Sequence, residues 1–469
     1  MNEVLFKNAD EKIKKLTNLI QQTIKGTHFE GKVYYVGGCI RDLLLGLDVK
    51  DIDIVVEMRN GGILFAGFMA MRNQCYVVNT NPVVFETYGT AKFQLYKDED
   101  LKDIEIECVQ TRKEQYHKES RNPDTAYGTI QEDAARRDLT INALYYNIST
   151  EEVFDFNKKG LDDLCHQVIR TPSDPDIIFK DDPLRMLRVI RFSNKLGWGI
   201  ERDTWLGIVK NVNRIDIVSQ ERISDEISKI LLCNNPSVGI RKLYFSGLLD
   251  RIMPDIYDLK LAYESRNPMV TTFDHTMNVL DETQPYIENR LAALFHDVGK
   301  IISDKDRTIS QDQFSAEIAA TDLKMMKFPN RIINSVETAI KYHRLFRIYQ
   351  DGIVPPDKKI RKFMNLCGEE IGTVVDLMNA NNYHTTFDKK KRQVLDILNR
   401  IEELDEVDKM AKIKLPIDGK DIMAEFRLKG GPVIGILLEA VKDAYFENPN
   451  ITKDECFEVV EKKIKSLTT

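Results

Sequence analysis

With 469 residues, 42% of them apolar and 30% charged, the chain has the make-up of a globular protein with room for about three domains. Its formal net charge of −7 excludes a uniformly basic nucleic-acid-binding surface, although local basic patches on an acidic chain still bind RNA. No apolar run nears the roughly 20 residues that cross a bilayer, and Asn2, Glu3, Asp10 and Glu11 among scattered lysines do not read as a signal peptide.

Residues 8 to about 25 read as an amphipathic helix leading into a buried strand, Val33–Val36. Gly37 and Gly38 turn sharply out of that strand. A helix then runs through Leu43, Leu44 and Leu45, with N-terminal N–H groups suited to phosphate oxygens and Arg41 beside them. Asp51 and Asp53 flank Ile52 on the next strand, where alternation points both carboxylates to one face. Such a pair suits Mg²⁺ when substrate phosphates complete its shell. Either half alone is equally a glycine turn or a solvated aspartate pair; joined about ten residues apart they predict nucleotidyl transfer.

Short β-rich runs follow at Ile52–Val56, Tyr76–Asn79, Val83–Tyr88, Ala91–Tyr96 and Ile104–Val109, interrupted by a helix at Ile63–Arg72. They predict a mixed sheet with helices on one side. Residues 112–129 are polar, with Arg121, Asn122, Pro123 and Gly128, and predict a mobile loop. After Thr171-Pro172-Ser173-Asp174-Pro175 strand signals largely vanish and helical periodicity persists almost to the end. The seven cysteines lie far apart with no Cys-x-x-Cys pair, which predicts reduced thiols and a cytoplasmic protein.

Gly-Gly-x-x-Arg-Asp followed by Asp-x-Asp resembles the head of the class II tRNA nucleotidyltransferases and bacterial poly(A) polymerases, within the DNA-polymerase-β superfamily. The resemblance continues through Arg136-Arg137-Asp138-Leu139-Thr140-Ile141-Asn142-Ala143, Asp181-Asp182-Pro183-Leu184-Arg185-Met186-Leu187-Arg188 and Glu221-Arg222-Ile223 with Glu226. It ends in an HD-type helical region around His275 and His296-Asp297, so that it covers roughly residues 30 to 390. It implies an α+β chain: a polymerase-β-like catalytic head over 1–165 and a helical neck that selects nucleotide and binds RNA over 166–255. An HD-type domain over 256–395 and a C-terminal helical segment over 396–469 complete it.

The implied chemistry is in-line attack of an RNA 3′-hydroxyl on an α-phosphate, expelling pyrophosphate, with two metals roughly 3.5–4 Å apart. Asp51 and Asp53 are the expected metal ligands. Glu107, at an acidic position that the resembling enzymes carry, is the expected third carboxylate; Glu105 shares its strand face. Gly38, Arg41, Arg137, Asp138 and Asn142 are expected at the nucleotide. Pro183 suits a helix's first turn, placing Asp182 near the N-cap and Arg185 one turn on, with Arg188 and Arg191 continuing the polar stripe. Cytosine and adenine each present an amino donor beside a ring-nitrogen acceptor, whereas uracil and guanine present the reverse. Asp182 accepts and Arg185 donates, so the pair complements C and A. In the resembling enzymes these two residues act as an amino-acid template for CTP and ATP. The chain departs from the common pattern at Leu139, where Phe is usual, and at Asp181, where Glu is usual.

Glu221-Arg222-Ile223 and Glu226 read as a structural buttress of the template helix. His275, His296 and Asp297 begin an HD metal set, but Ser315 and Asn381 stand where a further His and the distal Asp are usual, which predicts a degenerate site with little phosphohydrolase activity. Lys389-Lys390-Lys391-Arg392 is either an RNA contact or a solvated helix face. The expected activity is addition of C, C and A to the 3′ end of the tRNA acceptor arm from CTP and ATP with Mg²⁺. No membrane and no obligate protein partner are expected. The alternatives are a poly(A) polymerase with the same head and an HD phosphohydrolase with a vestigial head.

Overall fold

Period-two burial along the strands sets the architecture of the N-terminal unit. The computed structural model describes residues 11–49, 51–72, 82–86, 89–95, 99–102, 104–115, 124–264, 267–301, 310–346, 353–382, 389–410 and 415–468. Two units divide the chain, Met1–Ile252 and Met253–Thr469. In the first, α1 (Glu11–Ile24) leads to β1 (Val33–Val36), α2 (Gly38–Leu44), β2 (Asp51–Val56), α3 (Gly61–Arg72), β3 (Val83–Phe85), β4 (Thr90–Gln94) and β5 (Glu105–Gln110). A ribbon of β6 (Arg112–Gln115) and β7 (Asp124–Tyr127) follows, then α4 (Ile130–Ala135), β8 (Leu144–Asn147) and β9 (Glu152–Asp155). Seven strands form one sheet of order β3-β4-β5-β2-β1-β8-β9. β2 and β5 pair in parallel; every other neighbour is antiparallel.

One face of this sheet buries Val33, Tyr35, Ile52, Ile54, Ile106 and Cys108 under Leu16 and Ile20 of α1 and Phe65 and Met69 of α3. Each such side chain, fully buried, contributes about 1.5–3 kcal/mol relative to exposure. Gly62 lets α3 lie directly on the sheet, since a Cβ there would stand 2.4 Å from the Cys108 carbonyl oxygen. The other face buries Tyr34, Val36, Val55 and Tyr145 against Ile130 and Ala134 of α4. Helices therefore cover both faces, not one. α4 has only six residues, too few for a helical period to register in sequence.

Residues 112–129 are likewise not simply a loop. β6 and β7 pair in register Arg112↔Tyr127 through Gln115↔Asp124. Lys113, Ala126 and Tyr127 are exposed, so no buried stripe advertises the ribbon. The expected strand at Tyr76–Asn79 lies outside the described residues, as does the ribbon's tip.

The unit continues with α5 (Gly160–His166), β10 (Val168–Ile169), α6 (Pro175–Asp181), α7 (Leu184–Leu196), β11 (Gly199–Ile200), α8 (Arg202–Asn211), α9 (Gln220–Leu231), α10 (Pro236–Ser246) and α11 (Leu248–Ile252). Pro175 stands in the first turn of α6 and the Asp174 carboxylate accepts the Asp176 N–H, so both N-terminal signals act together. α7 buries Leu184, Met186, Leu187, Val189 and Ile190.

Helices dominate the second unit: α12 (Pro254–Asp258), a small hairpin of β12 (Tyr263–Glu264) and β13 (Asn267–Thr271), then α13 (Thr272–Glu282), α14 (Ile287–Phe295), α15 (Gln311–Met325) and α16 (Asn330–Tyr342). α17 (Asp357–Cys367), α18 (Ile371–Asn382), α19 (Lys389–Met410), α20 (Gly419–Glu425), α21 (Pro432–Glu447) and α22 (Lys453–Thr468) complete it. The last three helices share a core of Ile422, Leu437, Val441, Cys456 and Val460. Among the described residues no helix is long and apolar enough to cross a membrane.

One buried acid in this unit works against stability at neutral pH. Burial pushes the Asp322 carboxyl up to about 7, and Asp255 beside it adds to the shift. The raised value means that the native state holds a proton which the unfolded chain has already lost. The corresponding stabilisation is fully present below the ordinary carboxylate range and disappears as pH rises through about 7. Asp322→Asn, which mimics the protonated acid, should therefore raise the thermal midpoint at pH 8 by a few degrees, about 1–2 kcal/mol, and leave it nearly unchanged at pH 4. Thermal unfolding at the two pH values measures this; an equal shift at both would refute it.

Candidate active site

The parallel register of β2 and β5 places Asp51 opposite Glu105 and Asp53 opposite Glu107. Four carboxylates thus share one sheet face on two adjacent rungs, with both aspartates exposed and Ile52 and Ile54 buried behind them. Lys92 of β4 pairs across from Glu107. Its ammonium lies 2.5 Å from Glu105 Oε1 and 3.2 Å from Glu107 Oε2. One lysine does not balance four acids. Crowding by protein pushes the Asp53 carboxyl up, and Glu107 and Asp51 add to it while Arg137 opposes. Hard oxygen ligands with uncompensated negative charge fit a divalent cation.

Gly37 closes over this cluster. Its φ is +79°, a left-handed conformation that glycine takes without strain. A Cβ there would meet Asp53 Oδ2 at 3.4 Å and Arg137 Nη1 at 3.6 Å. Turn, carboxylate and guanidinium therefore converge within van der Waals distance. Gly38 opens α2, its own hypothetical Cβ 3.4 Å from Arg41 Nη2.

Arg41 is turned inward, only 3% exposed. Its Nε and Nη2 donate to both oxygens of Asp42, at 2.8 and 2.9 Å, and Nη1 donates to Asn142 Oδ1 at 2.6 Å. With three of its five N–H groups engaged, this guanidinium braces the turn against Asn142. Asn142 in turn donates to Asp138 Oδ1, and Arg188 donates from Nε to Asp138 Oδ2 at 2.8 Å. Burial alone would raise the Asp138 carboxyl, but Arg188 and Asn142 hold it down at about 2.

Arg137 is fixed from behind. Asp133, which sequence reasoning missed, is fully buried and accepts from Arg137 Nε and Nη2, from Arg136 Nη2 and from the Tyr145 hydroxyl. Burial opposes ionisation, yet Arg137 and Arg136 hold this carboxyl well below the usual range. The Arg137 guanidinium also stands 5.3 Å over the Tyr145 ring. The available signal was spacing: Asp133 precedes the two arginines by three and four residues, one helical turn.

Asp182 sits in extended conformation between α6 and α7, and its Oδ1 accepts the Leu184 N–H. The contact is thus made from one residue before the N-cap position, which Pro183 occupies. Arg222 of α9 pairs with Asp182 Oδ2 at 2.8 Å. Arg185 is buried, with Nη1 3.5 Å from the Ile178 carbonyl oxygen. Glu226 stands 3.7 Å from Arg188 Nη1 and 2.7 Å from Arg191 Nε. α9 therefore braces the middle of α7 and the residue that leads into it by ion pairs.

In the second unit His275, His296 and Asp297 come together, their ligand atoms within 4.8 Å of one another. Asp297 already has internal cations, Lys300 at 2.6 Å and Arg344 at 2.6 Å. Burial and the neighbouring His296 push His275 down to about 4. Its Nε2 lies 3.1 Å from Asn381 Oδ1, while Ser315 Oγ accepts the Gly299 N–H. The Lys389–Arg392 side chains lie outside the described residues.

Against known proteins, residues 33–170 match the poly A polymerase head domain. Residues 197–259 match the probable RNA and SrmB-binding site of polymerase A. The mitochondrial CCA tRNA nucleotidyltransferase of Candida glabrata is 28% identical over 89% of this chain and 88% of its own length. That of Saccharomyces cerevisiae is 35% identical over 44% of this chain and 39% of its own. The CC-adding tRNA nucleotidyltransferase of Thermus thermophilus is 26% identical over 70% of this chain and 76% of its own. Among solved structures, the Bacillus stearothermophilus CCA-adding enzyme in complex with CTP superposes with a TM-score of 0.69 at 19% identity, over 98% of this chain and 100% of that one. With the head's motifs in order and its carboxylates in register, the chain carries a poly A polymerase head domain followed by the RNA-binding segment of such polymerases, and over most of its length it is similar to CCA-adding tRNA nucleotidyltransferases.

Proposed function

We propose that the protein adds C, C and A to tRNA 3′ ends from CTP and ATP without a nucleic-acid template. The observation that carries this is the rung shared by Asp53 and Glu107, roofed by Gly37 and faced by Arg137. In the reaction the tRNA 3′-oxygen bonds to the α-phosphorus as its bond to pyrophosphate breaks. Asp51, Asp53 and Glu107 would hold the divalent metal, Mg²⁺ by the hardness of its ligands, and the metal when bound neutralises the entering and leaving oxygens. Arg137, anchored by Asp133 and Tyr145, aims a guanidinium at the phosphates beside the Gly37–Gly38 turn. Asp138 and Asn142 keep Arg188 and Arg41 in place. Asp182 accepts the amino group shared by C and A, Arg185 donates to their ring nitrogen, and Arg191 steadies α7 through Glu226.

The relatives' names favour CCA addition over poly(A) synthesis. The domain limits we infer are a head over 1–165, a neck over 166–255, an HD-type domain over 256–395 and a tail over 396–469. In the HD-type domain, internal cations at Asp297 and neutral Asn381 and Ser315 argue against phosphohydrolase activity. We place the protein in the cytoplasm on its widely spaced cysteines, unpaired among the described residues; the mitochondrial relatives make fractionation the direct check.

Incubation with tRNA lacking its 3′ end and each labelled NTP in turn, followed by product sequencing, tests the activity. CCA termini are expected; long A-tails would instead indicate the polymerase reading. Asp53→Asn should lower turnover by at least about 1,000-fold while tRNA affinity stays nearly constant, and surviving turnover would remove the metal assignment. Arg185→Lys should loosen UTP rejection by about tenfold or more. Unchanged rejection in that variant would take Arg185 out of base reading.

A further inference from the structure

Three guanidiniums from two separate segments converge on one aromatic ring. The Phe192 centroid lies 4.3 Å from the Arg191 guanidinium carbon, 4.8 Å from that of Arg41 and 5.7 Å from that of Arg188. Phe192 itself is only 6% exposed. Arg41 belongs to α2, directly behind the Gly37 turn, whereas Arg188 and Arg191 belong to α7, the helix that begins beside Asp182 and Arg185. Like charges gathered this closely repel. The negative face of an aromatic ring offsets part of that repulsion, and a guanidinium is weakly hydrated enough to stay against it.

The ring also closes a circuit. From Arg41 the hydrogen bonds run through Asn142 to Asp138 and on to Arg188, and the Phe192 ring returns from Arg188 to Arg41. Glu226 draws Arg191 to the same plate at 2.7 Å. Hydrogen bonds fix the guanidinium ends along this circuit, and the ring packs against all three of them, tying the two segments together.

We infer that Phe192 is a positioning residue for nucleotide selection. It keys the base-reading end of α7 to the phosphate turn, so that a base matched by Asp182 and Arg185 presents its α-phosphate over Asp53. The assignment rests on the nucleotide-addition reading above and goes beyond it by giving the neck–head alignment to one side chain.

The test uses the full chain with tRNA lacking its 3′ end, and single additions of CTP, ATP and UTP. Phe192→Leu preserves apolar bulk but removes the ring's charge distribution; Phe192→Tyr keeps it. Phe192→Leu should lose about tenfold in kcat/KM for CTP and ATP, chiefly through KM, and should accept UTP about tenfold more readily relative to CTP. Its tRNA affinity should not change, and Phe192→Tyr should recover wild-type selection. A Leu variant with wild-type nucleotide KM and UTP rejection overturns the assignment, and so does a Tyr variant as impaired as Leu. If the Leu variant fails to fold, Phe192→Met is judged by the same criteria. A wild-type chain that adds no CMP overturns the nucleotide-addition reading and this assignment with it; an active wild type beside an unperturbed Leu variant overturns this assignment alone.

Discussion

The parallel pairing of β2 with β5 is the constraint on which the rest of the molecule depends. Strands in a sheet lie about 4.8 Å apart, so Asp53 and Glu107 on one rung repel by about 3 kcal/mol at an effective dielectric of 20. The acidic rungs on that face do not favour the register, although Val55 and Val109 further along it pack against α4. The opposite face does, because Ile52, Ile54, Ile106 and Cys108 all point into the main core. At about 1.5–3 kcal/mol for each fully buried aliphatic side chain, burial outweighs repulsion several-fold. A slip of one residue would exchange the faces, burying carboxylates and exposing isoleucines. Apolar packing on one side of the sheet thus enforces an acid cluster on the other.

The second element of the design is the pairing of nearly every arginine near that cluster. Asp42 holds Arg41, Asp133 holds Arg136 and Arg137, Asp138 holds Arg188, and Glu226 holds Arg191. Removing one partner from such a buried pair costs about 3–5 kcal/mol, because the other charge is left stranded. The pairs therefore resist rearrangement and preorganise the guanidiniums at no cost during the reaction. They also explain how a chain of net charge −7 sustains an arginine-rich cluster: the positive groups bring their own counter-ions.

Much of this was legible in the sequence. The glycine turn, the Asp-x-Asp strand and the proline-led helix at Asp182 depend on local rules, namely backbone freedom, period-two alternation and first-turn chemistry. Asp133 was not read because its role depends on burial, which a charged residue between Glu132 and Ala134 does not announce. The bridge from Arg41 to Asn142 was not read, because the two residues lie 101 apart in sequence and meet only in the fold. The β6–β7 ribbon escaped because its pairing is local to the backbone and its exposed side chains carry no alternation. Phe192 was not singled out, since a ring's neighbours across the structure are not a sequence property.

The charge balance of two acidic clusters in the same chain distinguishes where chemistry resides. On β2 and β5 four carboxylates are offset by Lys92 and faced by Arg137, so negative charge is left uncompensated there. Around Asp297 the reverse holds. Lys300 joins Glu264 and Asp297, Arg344 joins Asp297 and Asp312, and His275 is held in its neutral form by burial and by His296. A divalent ion arriving there would have to displace an ammonium from Asp297 and would gain neutral Asn381 rather than a carboxylate. Electrostatic stabilisation of a reaction requires charge that is fixed in place yet still uncompensated. Of the two, the first cluster has that property, which is why we place the proposed transfer in the N-terminal unit rather than in the helical unit that follows it.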